Sequence, residues 1–290
     1  KKANDAKALD QYIAEHPFTP QEATLQTTIN IFDVTSLKEQ YNRVKAHNLE
    51  KEGTAGLLYY KGEHVAFRPD PSVKPINKFP HRKDDDLTGG IVVYQNPFQT
   101  KEGNTPHNLY IICHDPYAQS KSTTNQSLGA AYVIKRPNNL SKPDDMIVAS
   151  YVGRPQTQDE YNRNLFMLAD YYNAKIGFEN DRGELIAYAK RYRKLHKLQE
   201  EFEMLDKREL RSRNVKRQYG MHMTEQRKRQ GELYIRDWLI SPRSTDEDGN
   251  VRLNLHDIYD VGLLQELIKF NHKGNFDRVM AFMVGMYHTR

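Results

Sequence analysis

The chain reads as an α/β fold. Three observations predict it. Short β-rich runs at residues 108–113, 130–134 and 146–152 are separated by turn-type residues, the pattern of an antiparallel meander. A helix follows: Thr157-Gln158-Asp159-Glu160 fits a capping box, and Tyr161, Leu165, Leu168 and Tyr172 form one apolar stripe behind it. A further apolar run, Lys175 to Phe178, then predicts a fourth strand reached across that helix.

The remaining elements are weaker. Ala6, Leu9, Tyr12 and Ile13 predict a helix that Pro17 and Pro20 end, and a second helix starts at Thr35-Ser36 and runs through Leu37, Tyr41 and Val44. Residues 1–50 are therefore expected to be a helical segment. Residues 51–105 are rich in glycine and proline around strand-like runs at 57–60 and 91–94, which reads as a lead-in of hairpin and loop. The main domain is expected over 106–290. Within it Gly183 opens a helix, and the last part is predicted helical at 226–239, 255–270 and 277–288, with a polar turn at 241–250.

With 290 residues the chain can bury a core, and 10% aromatic content excludes a disordered polymer. Charged residues make up 28%, the formal net charge is +5 and the pI is about 9.0, a mild excess that suits a polyanionic partner. The single cysteine, Cys113, excludes a disulfide within the chain and a cysteine zinc site; its apolar surroundings predict a small buried hydrophobe. No stretch approaches the ~20 apolar residues that span a bilayer, so no membrane partner is expected. The start at Lys1-Lys2 without methionine suggests a fragment or processed product, in a reducing, soluble environment.

Acidic residues at strand ends carry the chemistry. Asp115 follows a buried-type strand and precedes Pro116, which cannot continue a ladder; Glu179 ends the strand after the helix; Asp277 opens an apolar helix. Converging carboxylates repel one another and call for cations, and hard divalent ions with oxygen ligands, Mg²⁺ or Mn²⁺, are the natural partners. A pair of such ions supports phosphodiester hydrolysis. Each acid also has a plain structural explanation: Asp115 as the start of a turn, Glu179 as a partner of Arg182, Asp277 as a charge on a helix dipole. His256, His272 and His288 lack H-x-x-x-H spacing and read as surface or phosphate-contacting residues.

A basic stretch supplies the second feature. From Arg208 to Arg229 cations prevail: Arg208, Arg211, Arg213, Lys216, Arg217, Arg227, Lys228 and Arg229, interleaved with Tyr219 and His222. These ten residues are expected to grip backbone phosphates, which position DNA without reading it. A solvated helix face is the competing explanation.

With these residues in view, the chain resembles the C-terminal nuclease domain of tailed-phage terminase large subunits. The run Leu109-Tyr110-Ile111-Ile112-Cys113-His114-Asp115-Pro116 is similar to that family's first strand and D-P aspartate. The most specific match runs from Leu168 to Gly183, where Leu168-Ala169, Tyr172-Asn173 and Glu179-Asn180 with Gly183 follow the family pattern. Tyr219-Gly220-Met221-His222-Met223-Thr224 is similar to its Y-G-x-x-T segment, and Phe276-Asp277-Arg278-Val279-Met280-Ala281 to its last acidic helix, with a single aspartate where the family often has two. His16-Pro17 to Ala23 is similar to the hinge after the family's ATPase. The resemblance implies an RNase H-like fold, a mixed central sheet flanked by helices behind an N-terminal helical hinge. It also implies a two-metal endonuclease that cuts concatemeric double-stranded viral DNA in the host cytoplasm, with portal protein and small terminase subunit as partners. It assigns Asp115, Glu179 and Asp277 as metal ligands and catalytic acids, with Asp181 as an auxiliary acid. Another RNase H-like nuclease, of resolvase or transposase type, and a non-catalytic DNA or portal docking module are the rival readings.

No G-x-x-x-x-G-K-[ST] phosphate loop occurs in the sequence. The purified chain is therefore expected to bind no ATP and hydrolyse none. Phosphate release assays and calorimetric titration check this, and ATP-dependent phosphate production would contradict it.

Overall fold

The structure is a computed structural model that describes residues 30–288 except 83, 118–126, 181–182, 205–217, 246 and 248. The predicted helix through Ala6 and Ile13 and the hinge motif fall outside the described residues.

Strands β1 (Thr54–Lys61), β2 (His64–Pro69), β3 (Gly90–Val93), β4 (Tyr110–Asp115), β5 (Gly129–Lys135), β6 (Met146–Gly153) and β7 (Lys175–Phe178) form one sheet in the order β2-β1-β3-β6-β5-β4-β7. Pairing between these strands is antiparallel except for β4 with β7, which is parallel. A hairpin can join antiparallel neighbours, but the parallel pair needs a crossover, and helix α1 (Val34–Ala46) is not it: α2 (Gln158–Tyr171) is, capped by Thr157, whose hydroxyl accepts from the Glu160 amide at 3.1 Å. This is the mixed sheet flanked by helices that the resemblance implied, in an RNase H-like order.

β5 and β6 are buried along their whole length and β4 along nearly all of its own, because helices cover both faces. Against one face lie α2 and α3 (Glu184–Arg191), whose Leu165, Phe166, Leu185 and Tyr188 pack with Tyr110, Ile112 and Val133. Against the other lie α4 (Glu225–Leu239), α5 (Val261–Lys269) and α6 (Asp277–Met286), packed with Ile111, Cys113 and Ile134. α6 sits close to the sheet because Gly285 has no side chain: a Cβ there would lie 2.6 Å from both Cys113 Sγ and Ile134 Cδ1. Cys113 is fully buried, as its apolar setting predicts.

Three elements differ from the sequence expectation. Residues 51–105, read as a lead-in, contribute β1, β2 and β3 to the same sheet, because β3 pairs with β6 from Gly90↔Val152 to Val93↔Ala149. The polar turn expected at 241–250 belongs to a second, two-stranded sheet of β8 (Pro242–Thr245) and β9 (Val251–Leu253), whose largely exposed side chains give no apolar alternation to detect. The helix expected from 255 begins at Val261, since Asp260 adopts extended backbone and caps α5 by accepting from the Leu263 amide at 3.0 Å. Leu255 and Ile258 share helical spacing but belong to a 3₁₀ turn, Asn254–Asp257, and its exit.

The start of α6 is fixed by a buried ion pair. Glu266 accepts from the Arg278 guanidinium at 2.9 Å and from the amides of Arg278 and Val279 at 2.9 and 3.2 Å. Burial pushes the Glu266 carboxyl up to about 7 against the pull of Arg278. Arg278 is buried too, which opposes its charge, but Glu266 and Asp260 outweigh this and hold its proton more firmly than usual. Arg278 also donates to the Ile76 carbonyl. Removing one partner leaves the other charge buried and unpaired. Glu266→Ala should therefore cost about 3–5 kcal/mol of stability by denaturant melts, and Glu266→Met with Arg278→Met should recover much of that loss; a single substitution that melts like the parent would contradict the pairing.

Candidate active site

The parallel register of β4 and β7 sets the first two acids. His114 pairs with Phe178, and the Glu179 amide donates to the His114 carbonyl at 3.2 Å, so Asp115 and Glu179 leave the sheet side by side at the same end. Side chains alternate along a strand. Ile111 and Cys113 face α6, which places Asp115 on that face as well; Ile176 and Phe178 face α2, which turns Glu179 toward α6. Segment 219–223 holds Glu179 from the other side: the Met221 amide donates to Phe178 O at 2.8 Å and the Asn180 amide to Met221 O at 2.9 Å.

Asp277 arrives from α6. Its carboxylate accepts from Ser127 Oγ at 2.9 Å, the Leu128 amide at 2.8 Å and Asn275 Nδ2 at 3.2 Å, which ties it to the residues just before β5. Asp115 pairs with Ala130 in that same strand. The three acids thus line one cavity of about 250 Å³, closed by Pro116, Phe276 and Met283 and by one face of α4. That face is Glu225, Lys228, Arg229 and Glu232, at the spacing of one helical stripe.

Electrostatics in the cavity are mixed. Burial raises the Asp277 carboxyl above its ordinary range, although the three hydrogen bonds and Arg278 pull it down. Burial likewise raises Glu232, which the His272 imidazole partly offsets from 3.3 Å. Among the described residues no three His, Cys, Asp or Glu side chains stand close enough together to hold a metal ion. Asp277 still has capacity, because a carboxylate offers about four lone-pair sites and three donors are recorded on this one. The donor set, all carboxylate oxygen, fits hard divalent cations. Burial pushes the His114 imidazole down to about 4, and its Nδ1 bonds the Ala130 carbonyl at 2.9 Å.

The basic residues divide. Lys228 and Arg229 line the cavity, and His222 is exposed. Tyr219 is half-buried, and its carbonyl accepts from Asn180. Arg227 departs from the expectation. It is 4% exposed, bound to Glu201 at 3.0 Å and to the His222 carbonyl at 2.7 Å, because the helix turns this position toward the core. Arg208, Arg211, Arg213, Lys216, Arg217 and Asp181 lie outside the described residues. Asp260 caps α5 and Glu266 pairs with Arg278. His288, expected at the surface, is buried, and burial pushes it down to about 3. Sequence reasoning missed Glu232 and paired His272 with no acid; the i, i+3, i+4, i+7 stripe 225-228-229-232 was the available signal.

No family model matches the chain, and no curated protein matches it significantly. Among solved structures, the chain is similar to the large terminase nuclease from thermophilic phage G20c with bound zinc, at 13% identity and a TM-score of 0.44, covering 71% of this chain and 94% of that one. A second structure of the large terminase nuclease from that phage gives 12% identity and a TM-score of 0.38 over the same shares. No helix among the described residues is long and apolar enough to cross a membrane.

The raised Asp277 carboxyl has a consequence for the metal-free protein. A group with a folded value above its unfolded one contributes stability that is present below the unfolded value and is lost as pH rises through the folded one. Asp277→Asn removes that loss. In chelator, the variant should melt a few degrees above the parent at pH 8 and lose less stability between pH 4 and pH 8. A variant that melts below the parent at pH 8 would show that the carboxylate's hydrogen bonds outweigh its burial.

Proposed function

We propose that the chain is the nuclease part of a DNA-packaging terminase large subunit, a metal-dependent endonuclease acting on concatemeric double-stranded viral DNA. The observation that supports this reading most is the convergence of Asp115, Glu179 and Asp277, distant in sequence, on one cavity that also holds Lys228 and Arg229. Asp115, Glu179 and Asp277 would hold Mg²⁺ or Mn²⁺, with Asp181 as an auxiliary acid. Such ions supply Lewis-acid stabilisation of a phosphodiester and lower the pKa of an attacking water.

The chain's own residues do the rest. Ser127, the Leu128 amide and Asn275 orient Asp277, and segment 219–223 fixes Glu179. Lys228 and Arg229 offer charge-assisted hydrogen bonds to phosphate oxygens beside the acids. Arg208, Arg211, Arg213, Lys216, Arg217, Tyr219 and His222 would extend that grip along the duplex. Following the resemblance, the partners are the portal protein and the small terminase subunit, in the host cytoplasm.

Supercoiled plasmid incubated with the chain and Mn²⁺ or Mg²⁺ should be nicked and linearised, and chelator should stop it. Asp115→Ala, Glu179→Ala and Asp277→Ala should each reduce cleavage below detection while the protein stays folded by circular dichroism. Plasmid that is bound but stays intact under both metals would favour the non-catalytic docking module, and strong preference for branched DNA would favour a resolvase-type enzyme.

DNA affinity should depend steeply on salt, since each neutralised phosphate contributes about −0.9 to the slope of log K against log salt. Lys228→Ala with Arg229→Ala should flatten that slope by up to about two units, measured with Ca²⁺ in place of the catalytic ion. Arg227→Ala should lower stability instead, because it leaves Glu201 without its buried partner. An unchanged slope in the double variant would move the DNA path away from α4.

A further inference from the structure

The face of the sheet opposite the acids carries a second groove. It has a volume of about 520 Å³ and lies between α2, α3 and the end of β1. Its walls are aromatic. Phe166 stacks on Tyr188 at 5.4 Å between centroids, Tyr188 meets Tyr192 at 4.5 Å, and Tyr60 faces them from β1. Tyr60 and Tyr192 are 52% and 50% exposed, so two large π-faces meet solvent at the same groove. The Lys194 ammonium lies 5.8 Å from the ring centroids of both Tyr60 and Phe166 and donates to the Tyr60 hydroxyl at 3.2 Å, which holds the rings in place.

Charge in the groove itself is balanced, with Asp159 and Glu160 beside Arg163 and Lys194, and the cationic excess comes from the adjoining segment 190–197. The segment Lys190-Arg191-Tyr192-Arg193-Lys194-Leu195-His196-Lys197 contains no acid. Arg191 is paired with Asp159, and Lys194 and Lys197 share Asp170. Lys190 and Arg193 are exposed and have no ion pair among the described residues, and Arg163 lines the groove as well. The Arg191–Asp159 pair is exposed on both sides, so a phosphate can displace it at little cost.

We propose that this groove binds single-stranded nucleic acid, with unpaired bases stacked on Tyr60 and Tyr192 and the backbone carried by Lys190, Arg191 and Arg193. Exposed aromatic rings beside a cationic track are the two elements that single-strand binding needs, because every base has a π-face and every linkage a charge. A duplex keeps its bases stacked inside and cannot use the rings. The groove lies on the opposite face from the acidic cavity, and its function requires no metal.

The test is fluorescence anisotropy with a labelled 20-mer of thymidine, its abasic counterpart and a duplex of equal length, all in chelator. The parent should prefer the thymidine strand to the abasic one. Tyr60→Ala with Tyr192→Ala should weaken thymidine binding by 10-fold or more and leave duplex binding and plasmid cleavage unchanged, while Tyr60→Phe with Tyr192→Phe should keep the affinity. Lys190→Ala with Arg193→Ala should weaken both single strands. Should the alanine pair fail to fold, Tyr60→Leu with Tyr192→Leu retains apolar bulk without the π-face and should show the same loss. Thymidine affinity unchanged by losing both rings, or no affinity for the strand at all, as expected of a protein-docking face, would overturn the proposal. Inactivity on plasmid with this binding intact would overturn the nuclease reading alone.

Discussion

The parallel pairing of β4 with β7 is the constraint on which the site depends. In a wholly antiparallel sheet, successive strands end at opposite edges, and Asp115 and Glu179 would be separated by the length of a strand. Crossing over through α2 lets both strands run the same way, and the register from Ile111↔Lys175 to His114↔Phe178 brings the two acids out at one edge. Side-chain alternation then decides the face, and it decides it identically for both. The third acid needs a separate device: α6 must lie close on the sheet with its N-terminus at that edge. Gly285 permits the approach, and the buried Glu266–Arg278 pair holds the helix start.

This arrangement places a carboxylate where water screens it least. Asp277 is nearly out of solvent, and its charge is supported by two side chains and one amide rather than by a salt bridge of its own. Arg278, next in sequence, is turned away toward Glu266 and Asp260. The cations that do face the cavity, Lys228 and Arg229, come from α4 and sit among Glu225 and Glu232. The cavity thus keeps a surplus of carboxylates beside two cations.

Much of this was legible in the sequence, and the parts that were not have definable causes. β4 to β7 announced themselves because buried strands are apolar throughout and end at His114-Asp115-Pro116 and Glu179-Asn180, where polarity returns abruptly. The placement of β1 to β3 in the same sheet was not legible, since glycine and proline between short runs suit a loose hairpin as well as an edge of the sheet. Arg227 was misplaced because a run of cations carries no record of which one the helix turns inward; Ile235, Trp238 and Leu239 further along α4 fix that rotation. The roles of Asp260 and Glu266 were hidden for the same reason: an acid's partners lie elsewhere in the chain, and composition does not reveal them.

Crystals of the chain soaked in manganese chloride and measured at the manganese absorption edge show whether the three carboxylates hold a metal ion. An anomalous peak is expected in the cavity, bonded to carboxylate oxygens of Asp115 and Glu179, with Asp277 turned toward it. Density for manganese elsewhere, or an empty cavity at millimolar metal with all three carboxylates in view, would contradict it.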